Sequence, residues 1–381
     1  MAITHSYVDY GAGSDATGDG TIGTPWKTLQ KAFDTLVRNA NDGNQVNLKA
    51  GTAHVNAAAL DLTTFIAGGA LAAVGPLIVR GYTAAANDGG MAEIDCGGAT
   101  MFAAATYDFV YLIDLEMHTF GNANGVVLDT HCMLFRCEVH RGASIPSNKF
   151  LVYIGTGTMV LGCYIHDAGE LPSSPGAAIY GFSNPAMIVG NYIANCNGGI
   201  FGGYGWGIHN NVIYLNSTLG YGIQATYQAI VTGNTIYNAA AGTNYGINIP
   251  NSGGQLPVLN NIICGFSGAG GEGINTANLP LAGYNAFWNN TANYTVSDQR
   301  FVDLTANDVA LGADPFTDAA SGDFSLTAAA KTALAAKGWP LAYLGAHANT
   351  VPNLNIGPIQ MAASSGGGGA VRILPLRGSI G

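Results

Sequence analysis

Between Leu115 and Cys264 one short pattern returns about once every 24 residues, and a chain repeating at that period has few folds open to it. The rows read MVLGCYIHDA (159–168), MIVGNYIANC (187–196), GIHNNVIYLN (207–216), IVTGNTIYNA (230–239) and VLNNIICGF (258–266). Leu115 heads a column continued by Cys137, Cys163, Asn191, Asn211, Asn234 and Asn261, at gaps of 22, 26, 28, 20, 23 and 27 residues. A second column, Val126, Val152, Ile179, Ile200, Ile223, Ile247 and Ile274, keeps the same beat. Each repeat holds short β-branched runs with period-2 alternation, cut by Gly, Asn and Ser, and none reads as a helix. One such coil cannot bury its own apolar residues, but coils stacked at about 4.8 Å cover one another. Stacked Asn side chains then bond to each other and to the turn backbone, and Cys137 and Cys163 fill the same inward slot as small apolar substitutes.

Composition agrees. The 381 residues include 55 Gly, 48% hydrophobic and only 9% charged residues, which suits one apolar solenoid rather than a disordered chain. A net charge of −10 argues against a nucleic-acid partner and leaves no basic membrane patch. No run approaches the roughly 18 apolar residues of a membrane span. The N-terminus, MAITHSYVDYG, has neither a basic region nor an apolar core, so no secretory signal is expected there. The six Cys show no CxxC and no zinc spacing, and they read as buried free thiols.

Residues 6–40 run from a strand-like start through a Gly/Asp loop to Thr24 and Pro25, which read as N-cap and first helical position. Trp26, Leu29, Ala32, Phe33 and Leu36 would form the apolar face of a helix laid over the open end of the solenoid. This segment resembles the N-terminal cap of right-handed parallel β-helix proteins of the pectate-lyase-like superfamily. The match lies in Tyr7, Val8, Gly13, Ser14, Asp15, Gly23, Thr24, Pro25, Trp26, Lys27, Thr28, Leu29, Gln30 and Ala32. It continues through VNLKAGT (46–52), PLIVRGY (76–82) and AEIDCGG (92–98), and residues 313–360 resemble the segment that closes the C-terminal end. Asn355 stands where that segment often has Asp.

The resemblance implies an all-β fold: a single right-handed parallel β-helix with an N-terminal helical cap and a C-terminal irregular cap. The expected boundaries are 1–45 for the cap segment, 46–283 for the coils, 284–362 for the final coil and C-terminal cap, and 363–381 for a Gly-linked tail. In that tail Val371, Arg372, Ile373, Leu374, Leu376 and Arg377 follow four glycines. They read either as a disordered end or as a strand that docks on a partner's sheet edge.

If the 115/137/163 position points inward, the residue three later points out. That column reads His118, His140, His166, Ala194, Tyr214, Tyr237 and Cys264, with Glu116, Glu138 and Tyr164 beside its first members and Asp167 and Glu170 after His166. Three readings stay open: a metal site, a glycan-binding strip of His118, His140, His166, Tyr214 and Tyr237, or an ordinary solvent-facing ladder. No cofactor and no metal is assigned.

Catalysis like that of the lyases the chain resembles would need a Lys or Arg base beside acidic calcium ligands. The cations in the regular coils are few, Arg136, Arg141 and Lys149 among them, and no cluster of several Asp in neighbouring turns is found. Glu116 and Glu138 are the one stacked carboxylate pair the alignment places, near 5 Å apart, which in principle allows a retaining glycosidase. The acids Asp95, Asp108, Asp114 and Asp129 read as turn residues. GYGWG (203–207) and GAGGEG (268–273) lack the Lys/Ser and helix of a phosphate loop.

The expectation is therefore a structural or adhesive protein at a particle surface, such as a phage capsid decoration, fibre or spike. It would dock on other virion proteins through the tail and touch surface polysaccharide, as a homo-oligomer for which a trimer is one form. The alternative is a polysaccharide lyase or hydrolase acting outside the cell.

Overall fold

The computed structural model describes residues 3–37, 42–56, 58–62, 75–102, 107–121, 124–141, 149–169, 177–181, 185–226, 228–250, 257–278, 281–298, 302–335 and 337–338. Two compact units divide between Met187 and Ile188. Both are built from one coil of three short strands, each pairing in parallel with its equivalent one coil later. In the first unit the coil Val110–Ile113, Leu115–His118, Val126–Leu128 is followed by Met133–Phe135, Glu138–His140, Val152–Ile154, and then by Thr158–Leu161, Tyr164–Gly169, Ala177–Tyr180. In the second unit Gly207–His209, Val212–Leu215 and Ile223–Ala225 are followed by Ile230–Thr232, Thr235–Asn238 and Tyr245–Ile249. The coils continue to Val309–Ala310. We call the three stacks the first, second and third sheets in chain order.

A single left-handed residue makes the bend between the first and second strands of a coil. Asp114, Arg136 and Gly162 do so in the first unit, and Asn210, Gly233, Asn260 and Tyr284 in the second, all with φ between 52° and 69°. Each L-residue other than Gly costs about 1–2 kcal/mol in this conformation, so the coil must hold it by bonds on both sides. The next residue is the inward column of the repeat, and Leu115, Cys137, Cys163, Asn211, Asn234 and Asn261 are all buried.

In the second unit the amides form a continuous ladder. Asn211 donates from its backbone and from Nδ2 to Asn234 Oδ1 (3.0 and 2.9 Å), and Asn234 does the same to Asn261 (3.0 and 3.0 Å). The remaining Nδ2 proton of each reaches back one coil, Asn211 to the Ile188 carbonyl and Asn234 to that of Ile208, both at 3.0 Å. Asp308 accepts from the backbone of the last rung, Asn285, at 2.8 Å. In the first unit thiols take the same donor place: Cys137 Sγ donates to the Leu112 carbonyl (3.4 Å) and Cys163 Sγ to that of Leu134 (3.5 Å). Behind them the second column packs at full burial, Val126 on Val152 on Ile179 in one unit and Ile223 on Ile247 on Ile274 in the other. Each such side chain contributes about 1.5–3 kcal/mol over its exposed state.

The N-terminal helix is shorter than its start signal implies. It spans Leu29–Thr35 with Thr28 as N-cap, accepting from the Lys31 backbone. Asp15 settles the boundary, because its carboxylate accepts from the backbones of Lys27 and Thr28 and from the Thr28 hydroxyl (2.9, 3.0 and 2.7 Å). Thr24 is instead held in the preceding loop by Asp19, and Trp26 is buried outside the helix, donating to the Gly18 carbonyl. Leu29, Ala32 and Phe33 face the core, Phe33 meeting Phe102 at 6.4 Å. Among the described residues no helix is long and apolar enough to cross a membrane. Residues 339–381, including the Gly-linked tail, lie outside the described residues.

The Asn ladder generates a stability prediction. Asn234→Ala removes the acceptor shared by two Asn211 donors and one donor to the Ile208 carbonyl, so it should lower stability by roughly 3 kcal/mol. Asn234→Asp should be comparably harmful, since a carboxylate cannot donate. Urea denaturation followed by circular dichroism measures both, and a midpoint unchanged in Asn234→Ala would refute the role assigned to the ladder.

Candidate functional site

On the second sheet of the first unit, alternation sends Leu115, Met117, Cys137, Val139, Cys163 and Ile165 into the core and every second residue outward. Register then stacks Glu93, Glu116, Glu138 and Tyr164 in one outward row, and Asp95, His118, His140 and His166 in the next. Each imidazole reaches one coil back. His118 Nε2 meets Glu93 Oε1 at 2.9 Å, His140 Nε2 meets Glu116 at 3.1 Å and His166 Nε2 meets Glu138 at 2.9 Å. The rings stack at 5.2 Å (His118 on His140) and 4.8 Å (His140 on His166), with Tyr164 against His166 at 4.0 Å.

The rungs differ in their outer contacts. His118 Nδ1 meets the Thr119 hydroxyl at 2.6 Å, whereas His166 Nδ1 meets a second carboxylate, Asp167, at 2.8 Å. Burial pulls the His166 affinity for a proton down, but the bonds to Glu138 and Asp167 outweigh it and hold the group above the ordinary imidazole value. The bond from His140 keeps Glu116 below the usual glutamate value against its partial burial. A carboxylate held ionised in this way is a poor general acid. Glu116 and Glu138 are thus placed together as the alignment expects, but each is tied to an imidazole.

The described arginines are engaged elsewhere. Arg136 Nη2 and Arg80 Nε both donate to the buried Asp114, at 2.6 and 3.0 Å, and the mostly buried Arg141 donates to the Gly121 carbonyl. Glu170 lies outside the described residues.

The later half of the expected strip is not an open face. In the second unit the described part of the closing segment folds back along the outer face of the second sheet. It forms a hairpin, Phe316–Asp318 with Asp323–Leu326, and a helix, Ala328–Leu334. Phe324 packs edge-on against Tyr192, Tyr214 and Tyr237 at 6.1, 6.0 and 6.1 Å, and Tyr237 donates to Asp314 at 3.0 Å. Cys264 is fully buried under the same cover and Tyr214 is 9% exposed. Tyr214 and Tyr237 are therefore packing residues, because aromatic rings on a sheet surface gain more from a covering apolar segment than from water.

Sequence reading also passed over two features. Glu93 and Asp95 head the two outward rows, and the alternation of AEID, parallel to LEMH and CEVH, is the signal that finds them. On the third sheet of the same unit Tyr153 and Tyr180 stand in register, with Phe150 flat against Tyr180 at 3.7 Å, forming a half-exposed aromatic platform.

Two measurements follow. The Glu116 bond stabilises the fold above the ordinary glutamate value of 4.5 and loses that effect as pH falls through its lowered value, so the melting temperatures of wild type and Glu116→Gln should converge in acid and part above it. A gap independent of pH would refute the pairing. Phe324→Ala should cost about 2 kcal/mol and raise the solvent accessibility of tyrosine. An unchanged denaturation midpoint would mean that the hairpin is not a cover.

A family model described as a right-handed β-helix region matches residues 110–263. No curated protein sequence matches the chain. Among solved structures, pectate lyase Pel9A superposes with a TM-score of 0.51 at 13% identity, over 94% of this chain and 97% of that one. The GH136 lacto-N-biosidase from Eubacterium ramulus gives 0.46 at 12% identity, over 81% and 68%. ORF18 of Geobacillus virus E2 gives 0.42 at 14% identity, over 81% and 62%. At such identities the likeness to Pel9A is one of fold alone. With the parallel registers of the coils, it makes the chain a right-handed parallel β-helix protein.

Proposed function

We propose that this chain is a non-catalytic β-helix protein of a particle surface, such as a phage decoration, fibre or spike protein, that holds polysaccharide against the Glu–His ladder. The observation that carries the reading is the ladder's self-satisfaction. Three carboxylates and three imidazoles are paired one coil apart and, His166 excepted, are partly exposed. Sugar hydroxyls donate and accept in alternation, so they suit a row that offers both at about 4.8 Å intervals. The Phe150, Tyr153 and Tyr180 platform offers ring faces of the kind that pack on sugar rings.

A lyase or hydrolase needs a free base or two carboxylates of separated proton affinity. At this face Glu116 is held ionised, and Arg136 is committed to Asp114. The attachment half of the proposal rests on the composition of residues 363–381.

Surface plasmon resonance against a panel of acidic and neutral polysaccharides, with product analysis with and without calcium, tests the reading. Binding without cleavage is expected, weakened about tenfold, or 1.4 kcal/mol, by Glu116→Gln or by Tyr180→Ala. Product formation that disappears in Glu116→Gln would replace this reading with the enzyme one. Removal of residues 364–381 should abolish incorporation into the parent particle.

A further inference from the structure

His166 differs from the other two rungs in a way that a ladder of simple hydrogen bonds does not need. A neutral imidazole has one N–H and one lone pair. His118 satisfies both, donating to Glu93 and accepting from the Thr119 hydroxyl. His166 faces a carboxylate on each side, Asp167 at Nδ1 and Glu138 at Nε2, at 2.8 and 2.9 Å. A protonated imidazole meets both carboxylates with its two N–H groups. In the neutral form, with the Nδ1 proton given to Asp167, the Nε2 lone pair faces an anionic oxygen, and a metal ion can take the place of the second proton.

The contact with Glu138 has a third donor beside it. Ligand atoms of Glu138, His140 and His166 lie within 4.8 Å of one another. Glu138 and His140 leave the same strand two residues apart, and His140 is in register with His166 on the next coil, their rings nearly parallel at 11°. A proton shared by His166 and Glu138 needs no third donor, whereas a metal ion does. Bonds of 2.0–2.2 Å to a tetrahedral ion need donors about 3.3 Å apart, so the 2.9 Å contact of His166 with Glu138 would widen and the remaining separations, up to 4.8 Å, would close by side-chain rotation. Asp167 also has the place of the carboxylate that commonly orients a metal-bound histidine through its other ring nitrogen.

We propose that Glu138, His140 and His166 form a binding site for one divalent transition-metal ion, with Asp167 as a positioning residue. Two imidazole nitrogens and one carboxylate oxygen favour zinc, cobalt or nickel over calcium or magnesium, which prefer sites built from oxygen alone. Three protein donors leave the fourth position facing outward, open to water or to an oxygen donor of a partner. The equivalent set one coil earlier, Glu116, His118 and His140, would share His140, so the face holds one ion per chain. The site goes beyond polysaccharide recognition and does not depend on it.

Titration of the chelator-treated full chain with zinc chloride, followed by calorimetry, should give one ion per chain and a raised melting temperature. Magnesium and calcium chloride should give no comparable heat. Cobalt chloride should produce a visible d–d absorption band. His166→Asn and Glu138→Gln, checked for folding by circular dichroism, should weaken zinc binding at least tenfold and abolish the cobalt band. Asp167→Asn should weaken it by roughly 10–100-fold, as the loss of an outer carboxylate does elsewhere. His131→Asn, an exposed histidine stacked on Phe109 away from the ladder, should bind zinc as the wild type does. Absence of zinc heat, equal binding by calcium, or zinc binding unchanged in folded His166→Asn and Glu138→Gln would each overturn the proposal.

Discussion

A backbone bent through one left-handed residue per coil brings a main-chain carbonyl of the first sheet beside the inward column, where a polar side chain can donate to it. An amide does this in the second unit and a thiol in the first, each reaching the same carbonyl position one coil back. The two solutions are not equivalent. An amide also accepts, so Asn rungs chain into a ladder along the stack, whereas a thiol is a weak donor that leaves its neighbours to packing. Everything outward depends on this inner column, because it fixes the register that puts like residues on top of one another.

Register of that kind turns isolated side chains into rows. Glu116 on one exposed strand would be an unremarkable surface acid. Repeated as Glu93, Glu116 and Glu138, each met by an imidazole of the following coil, it becomes a set of bonds crossing from coil to coil. The same geometry applied to tyrosines gives a different result in the second unit, where Tyr214 and Tyr237 lie under the hairpin of Phe316 and Phe324.

The inward half of this architecture was legible in the sequence because burial and period are local properties. Val126, Val152 and Ile179 announce themselves by spacing, and so do the asparagines. The outward rows were legible only in register. Nothing near Tyr237 tells that Asp314, 77 residues on, will accept its hydroxyl, and the cover over Tyr214 is long-range in the same way. The helix start was misplaced for a similar reason. Thr24 and Pro25 satisfy every local rule, but Asp15, thirteen residues before Thr28, holds Thr28 in place as the N-cap. Asp95 reads as a turn residue, and it does accept from the Gly97 backbone, but it also ends a strand and stands in register with His118.

Every imidazole of the ladder leans the same way, toward the carboxylate of the preceding coil. The face therefore has a vector. It begins in acid, with Glu93 and Asp95, and ends in rings, with Tyr164 and His166. A linear molecule lying along such a strip meets a different sequence of groups from either end, so its two orientations are not equal in energy. Any polymer laid along a surface of this kind would have its head distinguished from its tail.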